Sequence, residues 1–489
     1  MTNHSLLAFD TDRIKDYVFA SKALRDIRGA SRLLDQLNHD HDALRALVGH
    51  PPIYAAGGSA LFAVPHDEVA SALLRVRQAY AAASGGAASI TGVAVALPDQ
   101  FDWQHDDIRP WWRLLGDRLA AAKSRTPPFL ASVSHPLLRY DAVDDWQYAS
   151  QYDRDDGLIG QATQLKRDAS RRIRAQEELP ESFEEIAELS QPRGYFALVV
   201  ADGDQMGKLL AACPTLPAIG QTATALFDLL STTVQQALRD IPKQHCDRLI
   251  LGGDDIVLAV PAQYGLPVAL HLVEAFGQAS QARLGKPLTL SAAVVWAHTR
   301  YPFDVWREVA ESALRFAKRE AVRRGLLGGL INLLVISSAN HLDFATYYNH
   351  VLTTDEHELR RIVRTMRPYR PEDLHILCAA RNERLADVPR SKLAALNQAI
   401  FQPSSRQAIL DALKTLVHWR GTASRDALFD LITTLTGQRQ RDLSFPFAVL
   451  REQDTSGMTY ETYQTPLADL VELWDFLPGA AHATANPAD

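Results

Sequence analysis

The sequence is poor in cysteine, which limits the kinds of site that it can hold. Its 489 residues include three cysteines, Cys213, Cys246 and Cys378, and no two of them form a Cys-x-x-Cys pair. A structural zinc ion needs about four clustered cysteine or histidine ligands. The sequence therefore predicts no zinc site and no disulfide framework, and it fits a reducing compartment such as the cytoplasm.

Long apolar runs and a basic leader are also missing. No stretch of 18 apolar residues occurs, so we expect no membrane span. The start, MTNHSLLAFDTD, lacks the basic segment and apolar core of a secretory signal, so we expect a cytoplasmic protein. Neither a G-x-S-x-G motif nor a Walker A loop is present, which argues against a serine hydrolase and a P-loop ATPase. The net charge of −7 argues against a nucleic-acid coat over the whole surface, but not against a local basic groove.

An internal repeat is the most informative feature that the sequence does contain. The segments LLAFDTDRIKDYV and YFALVVADGDQMGKLL both read as apolar strands that end in Asp-x-Asp and continue into a helix. A Gly-Gly pair follows in each copy, with Gly57 placed 47 positions after Asp10 and Gly252 placed 50 positions after Asp202. Each copy then continues through a helical stretch to another strand, so the shared order is strand, helix, strand, strand, helix, strand.

This order predicts an α+β fold with two ferredoxin-like units in tandem. We hypothesise that the two units face each other as a pseudo-dimer. The first unit is expected at 1–130, a mostly helical connector at 131–193 and the second unit at 194–345. Apolar residues at helical spacing predict an α-helical C-terminal domain at 346–478, and small polar residues predict a disordered tail at 479–489.

Asp254 and Asp255 lie inside the apolar stretch LILGGDDIVLAVP, where a buried strand would exclude paired charges. A hairpin resolves this conflict if Gly252 and Gly253 form its turn, because glycine readily adopts positive φ. The strand that ends at Asp202 would then finish at the same edge of the sheet. The sequence thus predicts that three carboxylates converge at that edge.

Converging carboxylates suit nucleotidyl transfer. Mg²⁺ prefers one or two carboxylates together with substrate phosphates, and such an ion neutralises a triphosphate and activates the attacking hydroxyl. Gly203 and Gly207 would let the backbone approach the phosphates. For either acidic motif alone, an ordinary turn rich in Asp and Gly remains the alternative.

The string DGDQMG, followed by LGGDD, resembles the catalytic palm of the large subunit of type III CRISPR effector complexes, a family similar to GGDEF diguanylate cyclases. Residues 9–38 resemble the opening of that subunit's first, non-catalytic palm, and residues 291–320 resemble the end of its catalytic palm. The resemblance implies that ATP is polymerised and cyclised into a cyclic oligoadenylate second messenger once target RNA is bound. It also implies Mg²⁺ or Mn²⁺ as cofactor, and other effector subunits with guide and target RNA as partners.

Roles for single residues follow from the same resemblance. Asp202 and Asp254 would hold the metal, with Asp255 as their acidic neighbour, and the Gly-Gly turn would lie beneath the nucleotide. Lys318 would contact the triphosphate; the alternative is an ordinary solvated lysine on a helix.

The first copy departs from the catalytic pattern because it reads Gly-Gly-Ser-Ala where the second reads Gly-Gly-Asp-Asp. We hypothesise that Gly57 and Gly58, with Ser31 of the stretch RGAS, bind the acceptor nucleotide. A purely structural first copy is the alternative.

The family's HD nuclease domain is not expected here, because the first palm begins within ten residues of the start and NHDHDAL (residues 38–44) is interpreted as a solvated turn whose Asp caps the next helix. We therefore expect a short form of the family that does not cleave DNA.

Two other functions remain open on the sequence alone. One is a standalone cyclic dinucleotide synthase, and the other is a non-catalytic, nucleotide-binding scaffold of an RNA-guided complex. The arginine-rich stretches 166–176 and 358–370 could line an RNA groove or form solvated helical faces.

Overall fold

The structure is a computed structural model of the chain. It describes residues 4–125, 137–144, 147–336, 343–419, 422–439, 443–453 and 458–479. The residues group into two compact units, each assembled from separate segments. One holds Met1–Ile186, Gln205–Ala259 and Gln278–Leu288, and the other holds Ala187–Asp204, Val260–Gly277 and Thr289–Asp489. The domain boundaries suggested by the sequence follow chain order and stay predictions.

The first copy of the repeat forms a four-stranded antiparallel sheet in the order β2-β3-β1-β4. Its strands are β1 (His4–Thr11), β2 (Pro52–Ala56), β3 (Ser59–Pro65) and β4 (Ile90–Ala96). Its helices are α1 (Ile14–Val18), α2 (Leu24–His39), α3 (His41–Val48), α4 (Val69–Ser84) and α5 (Arg109–Arg125). The predicted order of strands and helices is thus confirmed in this copy.

The second copy contributes to a five-stranded sheet in the order β11-β10-β7-β9-β8. Its strands are β7 (Tyr195–Gly203), β8 (Asp247–Gly252), β9 (Asp255–Pro261), β10 (Leu290–His298) and β11 (Ile331–Val335). Its helices are α8 (Met206–Ala211), α9 (Leu216–Ala237), α10 (Gly265–Leu284) and α11 (Phe303–Arg323). Strand β10 pairs antiparallel with β7 and parallel with β11, and the predicted α+β class is confirmed.

The predicted hairpin is confirmed, but its turn is shifted by one residue. Gly252 ends β8 opposite Asp255, so the turn residues are Gly253 and Asp254. Gly253 has φ 63°, whereas the expected positive φ at Gly252 is wrong. The pairs Ile250–Val257, Leu251–Ile256 and Gly252–Asp255 run without a shift to the turn and fix the register there.

The same register changes how the two copies correspond at their tips. In the first copy, Gly57 and Gly58 form the turn between Ala56 and Ser59. Its turn therefore matches Gly253-Asp254 rather than Gly252-Gly253. Gly58 stands in the place of Asp254, and Ser59 stands in the place of Asp255.

The connector is less helical than predicted. It contains an antiparallel pair, β5 (Ala149–Asp153) and β6 (Gly157–Gly160), ahead of α6 (Gln161–Arg174) and α7 (Phe183–Glu188). Lys166 and Arg167, at the start of the arginine-rich stretch, are buried rather than solvated. The Arg167 guanidinium pairs with carboxylates, among them that of Asp26 at 3.0 Å.

The prediction of an all-helical C-terminal domain is wrong, because a five-stranded sheet lies in this region in the order β12-β13-β16-β15-β14. The strands are β12 (Thr353–His357), β13 (Arg360–Val363), β14 (Leu443–Ser444), β15 (Phe447–Gln453) and β16 (Thr459–Gln464). The helices are α12 (Phe344–Tyr347), α13 (Pro371–Ala379), α14 (Arg390–Ile400), α15 (Ser405–Val417), α16 (Thr422–Thr436) and α17 (Leu467–Leu473). Four of the six residues of β16, TYETYQ, are Thr or Tyr, and both residue types favour strands.

The second arginine-rich stretch is not a solvated helical face either. It forms β13 and the segment that follows, where Arg364 and Arg367 are buried. Arg367 pairs with Asp469 of α17 at 2.8 Å, with both side chains 0% exposed, and with Glu472 at 2.8 Å. Arg367 thus ties the segment after β13 to α17, because a buried charge must be paired.

No helix in the described ranges is both long enough and apolar enough to cross a membrane. The predicted tail falls almost wholly on residues 480–489, which lie outside the described residues.

Candidate active site

Asp202 lies at the end of β7, next to a lysine of α11. Lys318 Nζ is 2.6 Å from Asp202 Oδ2, and it also donates a hydrogen bond to the carbonyl oxygen of Gly203 at 3.0 Å. The two side chains are 29% and 27% exposed. Lys318 is therefore anchored at the strand end, and the alternative of a purely solvated lysine does not describe it. Its contact with a triphosphate stays a prediction.

Asp204, two residues further on, has a structural role that the sequence did not reveal. Its carboxylate accepts hydrogen bonds from Ser291 Oγ at 2.9 and 3.0 Å and from the Gly329 amide at 3.1 Å. Burial raises the pKa of Asp204 above its ordinary value. The second carboxylate of Asp-x-Asp thus fixes the loop after α11, while the first stays partly open to solvent.

The tip of the β8–β9 hairpin carries Asp254 and Asp255 at a partly exposed edge, as the hairpin hypothesis requires. Asp255 does not stand alone there. Lys15 of α1 places its Nζ 2.8 Å from Asp255 Oδ1, although 240 positions separate the two residues. No local sequence pattern indicates Lys15 as a partner of Asp255 at that separation.

The two glycine-bearing tips pack directly against each other. A Cβ atom built on Gly57 would lie 2.1 Å from both the Cα and the nitrogen of Gly253. Gly57 also has φ 64°, so two constraints favour glycine at this position. On the neighbouring Gly58, a Cβ would lie 2.4 Å from Ile14 Cδ1. The glycines of the first tip therefore serve close packing, whether or not they also contact a nucleotide.

The remaining predicted glycines differ in their surroundings. Gly203 is buried at the end of β7 and its carbonyl accepts from Lys318. Gly207 lies on α8, and a Cβ there would meet no described atom within 4 Å. At Gly252 a Cβ would lie 3.4 Å from the Cα of Gly57. Close approach of the backbone to phosphates stays a prediction for all three.

A histidine that the sequence suggested to be solvated supports the first tip. The Gly57 amide donates a hydrogen bond to His39 Nε2 at 3.2 Å, and the His39 ring stacks on Phe227. Burial lowers the pKa of His39, whose side chain is 19% exposed. The solvated turn is thus wrong for His39, whereas the predicted cap is confirmed. The Asp40 side chain accepts from the amides of the first turn of α3.

The stretch RGAS lies within α2 and packs against other elements. Arg28 is buried and pairs with Asp247 at 2.6 Å. A Cβ on Gly29 would lie 1.7 Å from the carbonyl oxygen of Lys166, so glycine allows α2 and α6 to approach closely. Ser31 is buried on the same helix. Arg28 and Gly29 have packing roles, and nucleotide binding by Ser31 stays a prediction.

The first copy retains part of the polar arrangement seen around Asp202. Lys123 of α5 lies 2.5 Å from Asp10 Oδ2 and donates to the Thr11 carbonyl at 3.3 Å, as Lys318 does to Asp202 and Gly203. Burial raises the pKa of Asp10. The repeat therefore extends into the helix after the fourth strand of each copy, which brings a lysine to the first Asp.

The backbone repeats the same relationship. Among the described residues, the non-glycine residues with positive φ are Arg13 and Gln205, at 47° and 59°, each directly after Asp-x-Asp. Asp12 accepts hydrogen bonds from Ser89 and Thr91, much as Asp204 accepts one from Ser291. The two copies thus share the turn after the first strand and differ mainly at the hairpin tip.

A divalent cation fits the chemistry of these donors. The described part of the chain contains no group of three or more His, Cys, Asp or Glu side chains that could hold a metal by itself. Mg²⁺ does not require such a cage, because one or two carboxylates with substrate phosphates and water suffice. Asp202, Asp254 and Asp255 are partly exposed carboxylates of that kind.

Comparisons with known proteins show what the second copy is similar to. Residues 195–326 match the family described as Cas10/Cmr2, second palm domain. No curated protein matches the sequence. Among solved structures, Csm1 of T. onnurineus is 15% identical with a TM-score of 0.59, over 98% of this chain and 70% of that chain.

Two structures of the Csm1–Csm4 cassette are also similar. The cassette in complex with pppApApA gives 10% identity and a TM-score of 0.55, over 97% of this chain and 69% of that chain. The cassette in complex with cA4 gives 13% and 0.53, over 83% of this chain and 64% of that chain. At these identities the likeness shows a shared fold, and the chain spans about two thirds of the length of those it matches. The match of residues 195–326 to the Cas10/Cmr2 second palm domain family confirms the resemblance to the large subunit of type III CRISPR effector complexes.

Proposed function

We propose that this chain is a metal-dependent nucleotidyltransferase that polymerises and cyclises ATP into a cyclic oligoadenylate second messenger. The observation that carries the proposal is the pair of Asp202 and Lys318 at the end of β7, inside the segment that matches the family. A carboxylate beside an ammonium offers a ligand for a divalent cation and a donor for phosphate oxygens. The similar cassettes crystallised with cA4 and pppApApA support a nucleotide ligand of this class.

Each side chain has a stated task in this proposal. Asp202, Asp254 and Asp255 hold Mg²⁺ or Mn²⁺, which when bound neutralises the triphosphate and favours deprotonation of the attacking hydroxyl. Lys318 binds triphosphate oxygens. Gly203, Gly207, Gly252 and Gly253 keep the backbone beneath the nucleotide free of side chains.

The first copy binds the acceptor nucleotide in the same proposal, through Gly57, Gly58 and Ser31. The Asp10–Lys123 pair favours this role over a purely structural copy, because it reproduces the Asp202–Lys318 contact. The first copy has Gly58 and Ser59 in place of Asp254 and Asp255, and so it lacks the carboxylates that the catalytic tip carries.

The larger assembly is also part of the proposal. Two ferredoxin-like palms, at 1–130 and 194–345, form a pseudo-dimer and are joined by the connector at 131–193. The region 346–478 follows, with the tail at 479–489. The protein works in the cytoplasm with other effector subunits, and target RNA paired with guide RNA triggers synthesis in type III CRISPR-like antiviral defence.

Product analysis tests the activity. Purified protein, alone and with its guide and target RNA complex, is incubated with ATP and GTP and Mg²⁺ or Mn²⁺, and products are separated by chromatography. We expect cyclic oligoadenylate from ATP, and none from the variant with Asp254→Ala and Asp255→Ala. The matched control is Asp240→Ala, which removes an exposed carboxylate at the end of the α9 region.

The outcomes separate the alternatives. Equal turnover by the double variant contradicts the mechanism. A mixed cyclic dinucleotide made without RNA indicates the standalone synthase, whereas nucleotide binding without turnover in the wild type indicates the scaffold.

A further inference from the structure

Lys15 reaches the predicted catalytic tip from the other copy of the repeat. Its Nζ lies 2.8 Å from Asp255 Oδ1, and the two side chains are 32% and 37% exposed. Ion pairs as exposed as this one contribute little to folding stability. The contact therefore matters mainly for the charge at the tip, where a divalent cation and a triphosphate are proposed to bind.

The backbone before Lys15 directs it toward this tip. Arg13 adopts φ 47° as the residue before α1, which turns the chain directly after the Asp-x-Asp of the first strand. Ile14 then packs against Gly58 of the first tip, where a Cβ atom would lie 2.4 Å from Ile14 Cδ1. The position of Lys15 is thus fixed by packing on its neighbour.

Lys15 has no counterpart in the second copy of the repeat. Lys15 follows Asp10 by five positions, and the residue five positions after Asp202 is Gly207. In the opposite direction, Ser59 stands where the second copy has Asp255. The lysine occurs in the copy without carboxylates at its tip, and the copy with carboxylates has glycine instead. Lys15 and Asp255 therefore come from different copies of the repeat, and neither residue has an equivalent in the other copy.

From this arrangement we infer that Lys15 is a further nucleotide-positioning residue of the catalytic tip. Without ligand, its ammonium neutralises Asp255. When a divalent cation takes that carboxylate, Lys15 turns to the phosphate oxygens of the nucleotide bound there, since a flexible ammonium suits both anions. The ligand class is a nucleoside triphosphate with its metal. This inference rests on the proposed nucleotide site and adds a residue from the first copy to it.

Two binding measurements on the whole chain test the inference without relying on turnover. Mn²⁺ binding is followed by electron paramagnetic resonance with no nucleotide present. Binding of AMPPNP with Mg²⁺, and of adenosine, is followed by calorimetry. The variants are Lys15→Gln and Lys15→Arg, and the charge-matched control is Lys286→Gln, in the exposed turn between α10 and β10.

Lys15→Gln is expected to bind Mn²⁺ about fivefold more tightly, because the competing ammonium is gone. The same variant should lose about tenfold in AMPPNP affinity, since a charge-assisted contact to phosphate is removed. Its adenosine affinity should not change, and Lys15→Arg should retain most of the AMPPNP affinity. Lys286→Gln should match the wild type throughout.

Three results would overturn the inference. The first is unchanged or weaker Mn²⁺ binding by Lys15→Gln. The second is wild-type affinity of that variant for AMPPNP, and the third is an equal loss for adenosine, which would indicate a distorted fold. A wild-type protein that binds no AMPPNP at all would reject the proposed function and this inference with it.

Discussion

The amide of Gly57 donates a hydrogen bond to Nε2 of His39 at 3.2 Å, which ties the turn of the first tip to the end of α2. Because Nε2 accepts this bond, the ring must be neutral there, with its proton on Nδ1 toward Asp35. Burial lowers the pKa of His39 in keeping with this, opposed by Asp35 and reinforced by Arg248 and His41.

Acid should therefore weaken the fold through His39. The pKa of His39 in the folded protein lies below the unfolded value of about 6.5. Its contribution to the free energy of unfolding is therefore complete above the unfolded pKa, and it is lost as the pH falls toward the folded pKa. We expect the wild type to lose about 1 kcal/mol more than His39→Gln between pH 8 and pH 5.5 in urea unfolding, because the glutamine amide does not titrate. The exposed-site control, His105→Gln, should behave like the wild type. Equal acid sensitivity of wild type and His39→Gln would contradict this account.

The contact between the two tips predicts the effect of a single methyl group. Gly57→Ala should destabilise the protein by about 3 kcal/mol, because its Cβ would overlap the backbone of Gly253 and its φ is positive. Gly86 is the matched control, with φ 83° and no described atom within 4 Å of a Cβ. Gly86→Ala should lower the free energy of unfolding by only about 1 kcal/mol, the cost of placing alanine at a positive φ.

Chemical denaturation of the two alanine variants measures this difference. A cost for Gly57→Ala no greater than that for Gly86→Ala would show that the tips can separate without loss. A side chain at the neighbouring Gly58 would displace Ile14, whose Cδ1 lies 2.4 Å from the position of a Cβ there.

Much of the fold around the site could be predicted, because the repeat carries strong local signals. Asp-x-Asp marks the end of a strand in both copies, and a Gly-Gly pair marks each hairpin. The one-residue error at the tip arose from aligning the glycines by type. Both β3 and β9 end in Ala-Val-Pro, and aligning the two copies on this sequence pairs Gly57 with Gly253. The backbone pairing of the two hairpins gives the same correspondence.

Contacts between distant segments could not be predicted. Lys15 and Asp255 are 240 positions apart, and β13 pairs in parallel with β16 about a hundred positions further along the chain. The short strands β12 and β13 are rich in charged residues, so their composition resembles a solvated helix. Their pairing depends on tertiary contacts, which overrule weak local preferences.

The buried arginine of the C-terminal region predicts a large loss of stability. Asp469→Asn leaves the Arg367 guanidinium with less compensation in a site where both side chains are 0% exposed, so we expect a cost of about 3 kcal/mol in urea unfolding. The control is Asp475→Asn, which removes the partner of Arg390 in an exposed pair and should cost less than about 0.5 kcal/mol. Similar costs for the two variants would mean that Arg367 finds another partner.

Replacing the lysine that pairs with the first Asp should have different kinetic effects in the two copies. Lys318 lies beside Asp202 in the copy that we propose to be catalytic, so Lys318→Gln should lower kcat for cyclic oligoadenylate synthesis by about a hundredfold, as expected for loss of a charge stabiliser. Lys123 makes the same contact with Asp10 in the copy without the acidic tip, so Lys123→Gln should raise KM for ATP about tenfold and change kcat little.

Steady-state kinetics over a range of ATP concentrations separate these effects. Lys414→Gln is the control, since Lys414 is an exposed lysine of α15 that pairs with Asp411. An unchanged KM in Lys123→Gln would make the first copy a structural partner, because its preserved Asp–Lys pair would then have no role toward the nucleotide. An equal fall in kcat for both variants would instead indicate that both copies take part in the chemical step.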